Sequence, residues 1–178
     1  MANGRGRKPP KKNLIIIRGL PGVGKKSHAR KLLDEYGRPD VAGGIYSASN
    51  YHAMFNWNKF HFPRNHQWNR RDVFRAMKEG VDPIIVYNIH CLLSDMWPYV
   101  YMGMSWRDYH ITIIELPEGC PKNALSINQL YRNCRGKIPK HKFRYWENYW
   151  EEADDIWDVL DDGSSIDRWQ YEREEWIL

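Results

Sequence analysis

The sequence contains no hydrophobic run approaching the ~20 residues of a membrane-spanning helix, so no membrane contact is expected. The basic N-terminus has no apolar stretch behind it, which argues against a secretory signal. Cysteine is scarce. Cys91, Cys120 and Cys134 are odd in number and widely spaced, with neither zinc-ligand nor CxxC spacing. They read as reduced thiols, and the expected compartment is cytoplasm or nucleus. Acidic residues are absent from residues 1–12, which hold five Lys or Arg, and are outnumbered 20 to 11 by basic ones in residues 13–150. Residues 151–178 reverse the balance, with 11 acidic and two basic. A basic body with an acidic C-terminus suits a polyanionic partner, although charge excess alone fits a solvated surface equally well.

What is present suits one ordinary domain of 178 residues, 42% of them hydrophobic. Nine Trp and eleven Tyr are many for this length, so some are expected outside the core. Residues 1–12, rich in Gly, Pro, Lys and Arg, read as a disordered basic arm. "NLIIIR" (13–18), "GGIYS" (43–47), "DPIIVYN" (82–88) and "YHITIIEL" (109–116) read as short buried strands. Helices are predicted over 25–36, 64–79, 93–105, 124–134 and 140–152, with stops at Gly37, Pro39 and Gly80. Strands alternating with helices predict an α/β fold with a parallel sheet. The domain is expected over 13–150, followed by an acidic aromatic segment over 151–178.

Between the first strand and helix lies "RGLPGVGKKSHARKLL". A phosphate-binding loop reads G-x-x-x-x-G-K followed by Ser or Thr. Gly19, Gly22 and Gly24 would turn backbone N–H groups inward as an anion cradle, and Lys25 would reach the outer phosphates. The following helix adds its positive dipole end. Lys26 stands where a hydroxyl normally ligates Mg²⁺, and a protonated lysine repels the ion. Ser27 is rotated by about 100° along the helix and is no simple replacement. The candidate nucleotide-binding set is therefore Gly19, Gly22, Gly24, Lys25, Lys26 and Ser27, binding ATP or another nucleotide without Mg²⁺. No metal ligands are assigned. The bland alternative is a glycine-rich strand-to-helix turn.

"IIIRGLPGVGKKSHARKLL", "IYSASNYH", "NHQWNRRDVFRAMKEGVDPIIVYNIHCLLSDMWPYV" and "LYRNCRGKIP", in that order, resemble the P-loop polynucleotide-kinase and zeta-toxin-like kinases, closest to the Nedd-four-binding-protein-two-like branch. The resemblance covers roughly residues 13–150 and implies a P-loop NTPase-type parallel sheet flanked by helices. Framework positions match: Gly19, Gly24, Trp68, Asn69, Pro98 and Tyr99. Chemical positions do not. The resemblance implies an acidic pair where Ser49 and Asn50 stand, the first acid being the general base, and Ser49 has no useful basicity near neutral pH. It implies Asp-Asn-Thr where Tyr87, Asn88 and Ile89 stand. A lid arginine is retained as Arg132, so Lys25 and Arg132 are the only catalytic candidates, as vestiges. Asp95 is a carboxylate that the fold could recruit instead.

"RNCRGKIPKHKFR" carries Arg132, Arg135, Lys137, Lys140, Lys142 and Arg144 and no acid. With "FRYWENYW" behind it, this is a candidate nucleic-acid surface. Equally, it reads as a basic helix face with Phe143, Trp146 and Trp150 turned inward. His52, His61 and His66 fit no standard metal-ligand spacing. The C-terminal segment, with Trp157, Trp169, Tyr171 and Trp176 set among acids, is read as a protein-docking peptide, as a fold-back polyanion mimic, or as a helix packed on the body. The expectation is a catalytically degenerate P-loop kinase-like protein serving as a protein- and/or RNA-binding scaffold, with RNA and DNA both left open as the nucleic acid. The alternative is an active ATP-dependent polynucleotide 5′-hydroxyl kinase with a variant metal site.

Overall fold

The computed structural model describes residues 11–106, 108–119 and 124–177. Nearly all of the basic arm, and Cys120, lie outside them. Four short strands rich in Ile build one parallel sheet: β1 (Lys12–Arg18), β2 (Gly44–Tyr46), β3 (Ile84–Tyr87) and β4 (Tyr109–Glu115), in the order β2-β3-β1-β4. Ile16 lies opposite both Val86 and Ile113. Leu14, Ile16 and Ile17 are wholly buried, as a strand covered on both faces requires.

The helices are α1 (Lys25–Tyr36), α2 (Ala48–Met54), α3 (Phe62–Glu79), α4 (Leu93–Trp106), α5 (Ile127–Asn133), α6 (Lys140–Tyr149), α7 (Ile156–Leu160) and α8 (Gly163–Ile177), with a 3₁₀ turn over Lys59–His61. One sheet face packs on a large core that includes Val73, Met77, Met96, Tyr99 and Val100 from α3 and α4. The other packs on α1 through Ala29 and Leu32. A small third cluster, Leu20, Leu130 and Phe143, joins the β1–α1 loop to α5 and α6. Asn69 donates to the buried Tyr99 hydroxyl at 2.9 Å, tying α3 to α4.

The acidic C-terminal segment packs on α4. Trp169 and Trp176, seven residues apart, share one face of α8 and enter the core with Val159. Arg70 forms a two-pronged pair with Glu172 at 2.5 and 2.8 Å and stacks on the Trp169 ring. Trp157 and Tyr171 stay exposed.

β4 ends the sheet. Lys12 N–H donates to Asp108 O and Leu116 N–H to Arg18 O, so even-numbered residues of β4 turn their peptide groups toward β1. Alternation turns those of Ile111, Ile113 and Glu115 outward. Among the described residues no strand pairs with that edge. An open groove of about 490 Å³ lies there, between α1 and Thr112–Glu115.

Arg18, the last residue of β1, is completely buried. It donates to the carbonyls of His90 (3.1 and 2.9 Å), Cys91 (3.1 Å) and Glu151 (2.8 Å). Its Nη1 lies 3.5 Å from Glu115, and its guanidinium lies over the Trp150 ring. Deleting this side chain strands several buried acceptors and a carboxylate. Arg18→Ala is expected to cost about 3–5 kcal/mol of stability by urea unfolding. Arg18→Lys recovers less than half of that, because an ammonium lacks the planar fork that reaches three carbonyls at once.

Candidate phosphate-binding site

The loop from Gly19 to Lys25 leaves the carboxyl end of β1 and enters α1, the place where open α/β sheets bind ligands. Its shape needs glycine at two positions. Gly24, which starts α1, has φ +94°. Gly22 has φ +88°, and a Cβ there would sit 2.9 Å from the Leu130 carbonyl oxygen of α5. Asn133, at the end of α5, donates to the Gly22 carbonyl at 2.9 Å. With its carbonyl held outward, the loop leaves its amides for the cradle. Lys25 Nζ donates to the Gly19 and Leu20 carbonyls at 2.6 and 2.9 Å, and burial pushes its pKa down to about 7. Lys26 and Ser27 are both exposed at the start of α1. A mixed pocket of about 400 Å³ adjoins the loop, lined by Leu20, Val23, Leu116, Leu130 and Trp150 together with Glu115 and Glu147.

The polar residues at neighbouring strand ends are hydrogen-bonded into helix starts. Ser47 caps α2 by accepting from Ser49 N–H, and the Ser47 and Ser49 hydroxyls lie 2.7 Å apart. Asn50 is exposed. Asn88 accepts from Ala48 N–H at 3.0 Å and so holds the first turn of α2. Tyr87 is buried in the core beside Leu32 and Ile85. Asp95 accepts from Leu92 N–H at 3.0 Å and lies 3.6 Å from Arg168 Nη1. Burial raises its pKa. It stabilises the first turn of α4, as an acid at a helix N-terminus does. Among the described residues no three His, Cys, Asp or Glu side chains gather closely enough to hold a metal.

α5, α6 and the loop between them turn apolar side chains inward and basic ones outward. Phe143 is fully buried and Trp146 and Trp150 pack beside it. Arg132, Arg135, Lys137, Lys140, Lys142 and Arg144 are all exposed. Tyr145 and Tyr149 stand exposed on the same helix, with ring centroids 4.6 Å apart. Two features were not anticipated from sequence, the Arg18 hub and the Asn133 clamp on Gly22, whereas the two tyrosines belong to the aromatic run that the nucleic-acid reading invoked. Their signal is an i, i+4 spacing on a basic helix.

No family model matches the chain. Human NEDD4-binding protein 2 is 30% identical over 97 residues, which is 53% of this chain but only 5% of that protein. Among solved structures, the Pnkp1/Rnl/Hen1 complex superposes with a TM-score of 0.53 at 15% identity, covering 76% of this chain and 43% of that one. A structure of the Pnkp1/Rnl/Hen1 RNA repair complex gives 0.52 at 14%, covering 96% and 48%. APE1195 gives 0.55 at 12%, covering 83% of each chain. The chain has a P-loop NTPase-type α/β fold, a parallel sheet flanked by helices. At these identities the solved structures speak for the fold alone, and the parallel sheet flanked by helices expected from the sequence is the one observed. No helix among the described residues is long and apolar enough to cross a membrane.

Three histidines are held neutral near the site. Burial lowers the pKa of His66 to about 4, that of His90 well below its ordinary value, and that of His52 to a smaller extent. Each folded-state pKa lies beneath the ordinary ~6.5. The unfolded chain therefore takes up protons that the folded chain excludes. Stability should hold above about pH 6.5 and fall as pH drops through 6.5 toward 4. Urea midpoints across that range test this, and His66→Gln should flatten part of the slope.

Proposed function

We propose that this protein is a catalytically degenerate P-loop kinase-like module, which holds a nucleotide or phosphate in the Gly19–Lys25 loop without a metal and serves as a scaffold for RNA and for a protein partner. The observation that carries the reading is Lys26, an exposed cation one residue past Lys25, in the slot whose hydroxyl would ligate Mg²⁺. The left-handed glycines, the α1 N-terminus and Lys25 still favour an anion. The adjoining pocket, with Leu20, Val23 and Trp150 for stacking and Glu115 and Glu147 as acceptors, suits a base. At the expected general-base position Ser49 is hydrogen-bonded to Ser47, and the recruitable carboxylate, Asp95, is engaged by Leu92 and Arg168. General-base loss alone typically costs ~10²–10⁴-fold in rate.

The RNA half of the proposal rests on α5, α6 and the loop between them. Six exposed cations flanked by a pair of exposed tyrosines combine phosphate attraction with base stacking. Cytoplasm and nucleus both supply such a partner. The enzyme reading, an ATP-dependent polynucleotide 5′-hydroxyl kinase, keeps support from the intact loop and from the retained Asn88.

Calorimetric titration of ATP, first with EDTA and then with excess Mg²⁺, separates the two. The expected result is similar affinity in both; a gain of more than about tenfold on adding Mg²⁺, ~1.4 kcal/mol, favours the enzyme. Phosphate transfer to a 5′-hydroxyl oligonucleotide should not exceed that of a Lys25→Ala control. Because Lys25 titrates near 7 in the free protein, phosphate affinity should decline as pH rises from 7 to 9, with net proton uptake on binding. Oligonucleotide binding should weaken with salt, each neutralised phosphate adding about −0.7 to −0.9 to the log–log slope. Charge reversal at Arg135, Lys137 and Lys140 should weaken it most.

A further inference from the structure

Among the described residues, the most exposed apolar side chains in the first half of the chain do not line the phosphate loop. Met54 is 70% exposed, Trp57 56% and Phe60 85%. They are spaced three residues apart, from the end of α2 to the 3₁₀ turn before α3. The backbone that presents them is constrained. Asn56 and Trp57 have φ of +50° and +57°, a region that non-glycine residues rarely adopt. Trp57 N–H donates to His52 O at 2.7 Å, and the Asn58 side chain caps the 3₁₀ turn. The knuckle is therefore built to hold large apolar groups outward, whereas exposed apolar residues are usually scattered singly.

Its electrostatic setting is one-sided. From Val41 to Arg71 the sequence has no Asp or Glu, while Lys59 and Arg64 flank the knuckle. The first carboxylate beyond, Asp72, is engaged by the Tyr51 hydroxyl and lies 3.6 Å from Arg75. Arg64 is inserted between Phe55 and Trp68, its guanidinium 4.3 Å from each ring centroid. Its Nε–H is buried without a hydrogen-bond partner among the described residues. A carboxylate that drew the guanidinium outward would satisfy that donor in the side-on geometry arginine favours.

We propose that the Met54–Trp57–Phe60 knuckle is a docking surface for an acidic, apolar peptide segment of a partner protein. Two or three large apolar side chains of that peptide seat on Trp57 and Phe60, and its carboxylates face Lys59 and Arg64. A single-stranded nucleic acid is disfavoured at this face. Phosphate tracking calls for a row of exposed cations, and that row lies on α5, α6 and the loop between them instead. The flexible, thioether-bearing Met54 suits an adaptable protein contact. This proposal is independent of nucleotide binding in the loop.

The test is selection of a displayed library of random peptides, about 16 residues long, against the full chain. Enriched peptides should carry more Asp and Glu than Lys and Arg, together with several large apolar residues. Their affinity should fall at least about tenfold for Trp57→Ala and for Phe60→Ala, while Lys140→Glu combined with Lys142→Glu leaves it unchanged. Thermal melts verify that each variant folds, and the highly exposed Phe60 keeps the test alive should Trp57→Ala fail to. Enrichment of basic peptides, or of none sensitive to either substitution, overturns the proposal. Displacement of the peptide by a short oligouridylate also overturns it, by giving the face to nucleic acid.

Discussion

The guanidinium of Arg18 organises the functional edge of this molecule. A buried charge is tolerated only when its hydrogen bonds are met, and here the acceptors come from remote parts of the chain. His90 and Cys91 lie beyond β3, Glu115 ends β4, and Glu151 follows α6, 133 residues away in sequence. One side chain thus gathers three strand ends and the return of the C-terminal segment. The phosphate loop begins at the next residue, so its first peptide is as fixed as the arginine itself. The same charge helps keep His90 neutral, after the larger effect of burial.

Around this hub the polar residues at the strand ends serve as joints. Asn88 bridges from β3 to the first turn of α2, Ser47 closes that turn, and Asp95 closes the first turn of α4. Each satisfies an orphan backbone N–H at a helix start, typically worth ~1 kcal/mol. A side chain committed in this way is less available to a substrate. That is the physical content behind reading the site as a cradle for anions.

How much of this was legible in the sequence depended on the range of the interactions. β1, β3 and β4 were readable as apolar runs, and α1 over 25–36 between a Gly-Lys entry and Gly37. All of these are set by local composition. α2 was not readable, because "ASNYHAM" has no apolar period and its first turn leans on Asn88, 40 residues away. α8 was assigned no bounds, because its charges mask two inward tryptophans. The glycines of the loop were plain from their spacing. The tie of Lys25 to loop carbonyls and the Asn133 clamp were not, since each needs two segments that only folding brings together. The destination of Arg18 was invisible for the same reason: backbone carbonyls leave no trace in a sequence.

The uncovered edge of β4 bears on how the chain behaves while it is still folding. "HITII" is rich in β-branched residues and free of Asp, Glu, Lys, Arg and proline, and the peptide groups of Ile111 and Ile113 face outward. Such a segment templates strand addition by any neighbour that is extended at the same moment. Asp108 at one end, and Glu115 and Glu118 at the other, act as gatekeepers, since stacked copies would bring these like charges together. Solubility at high protein concentration therefore leans on three carboxylates placed at the two ends of this strand.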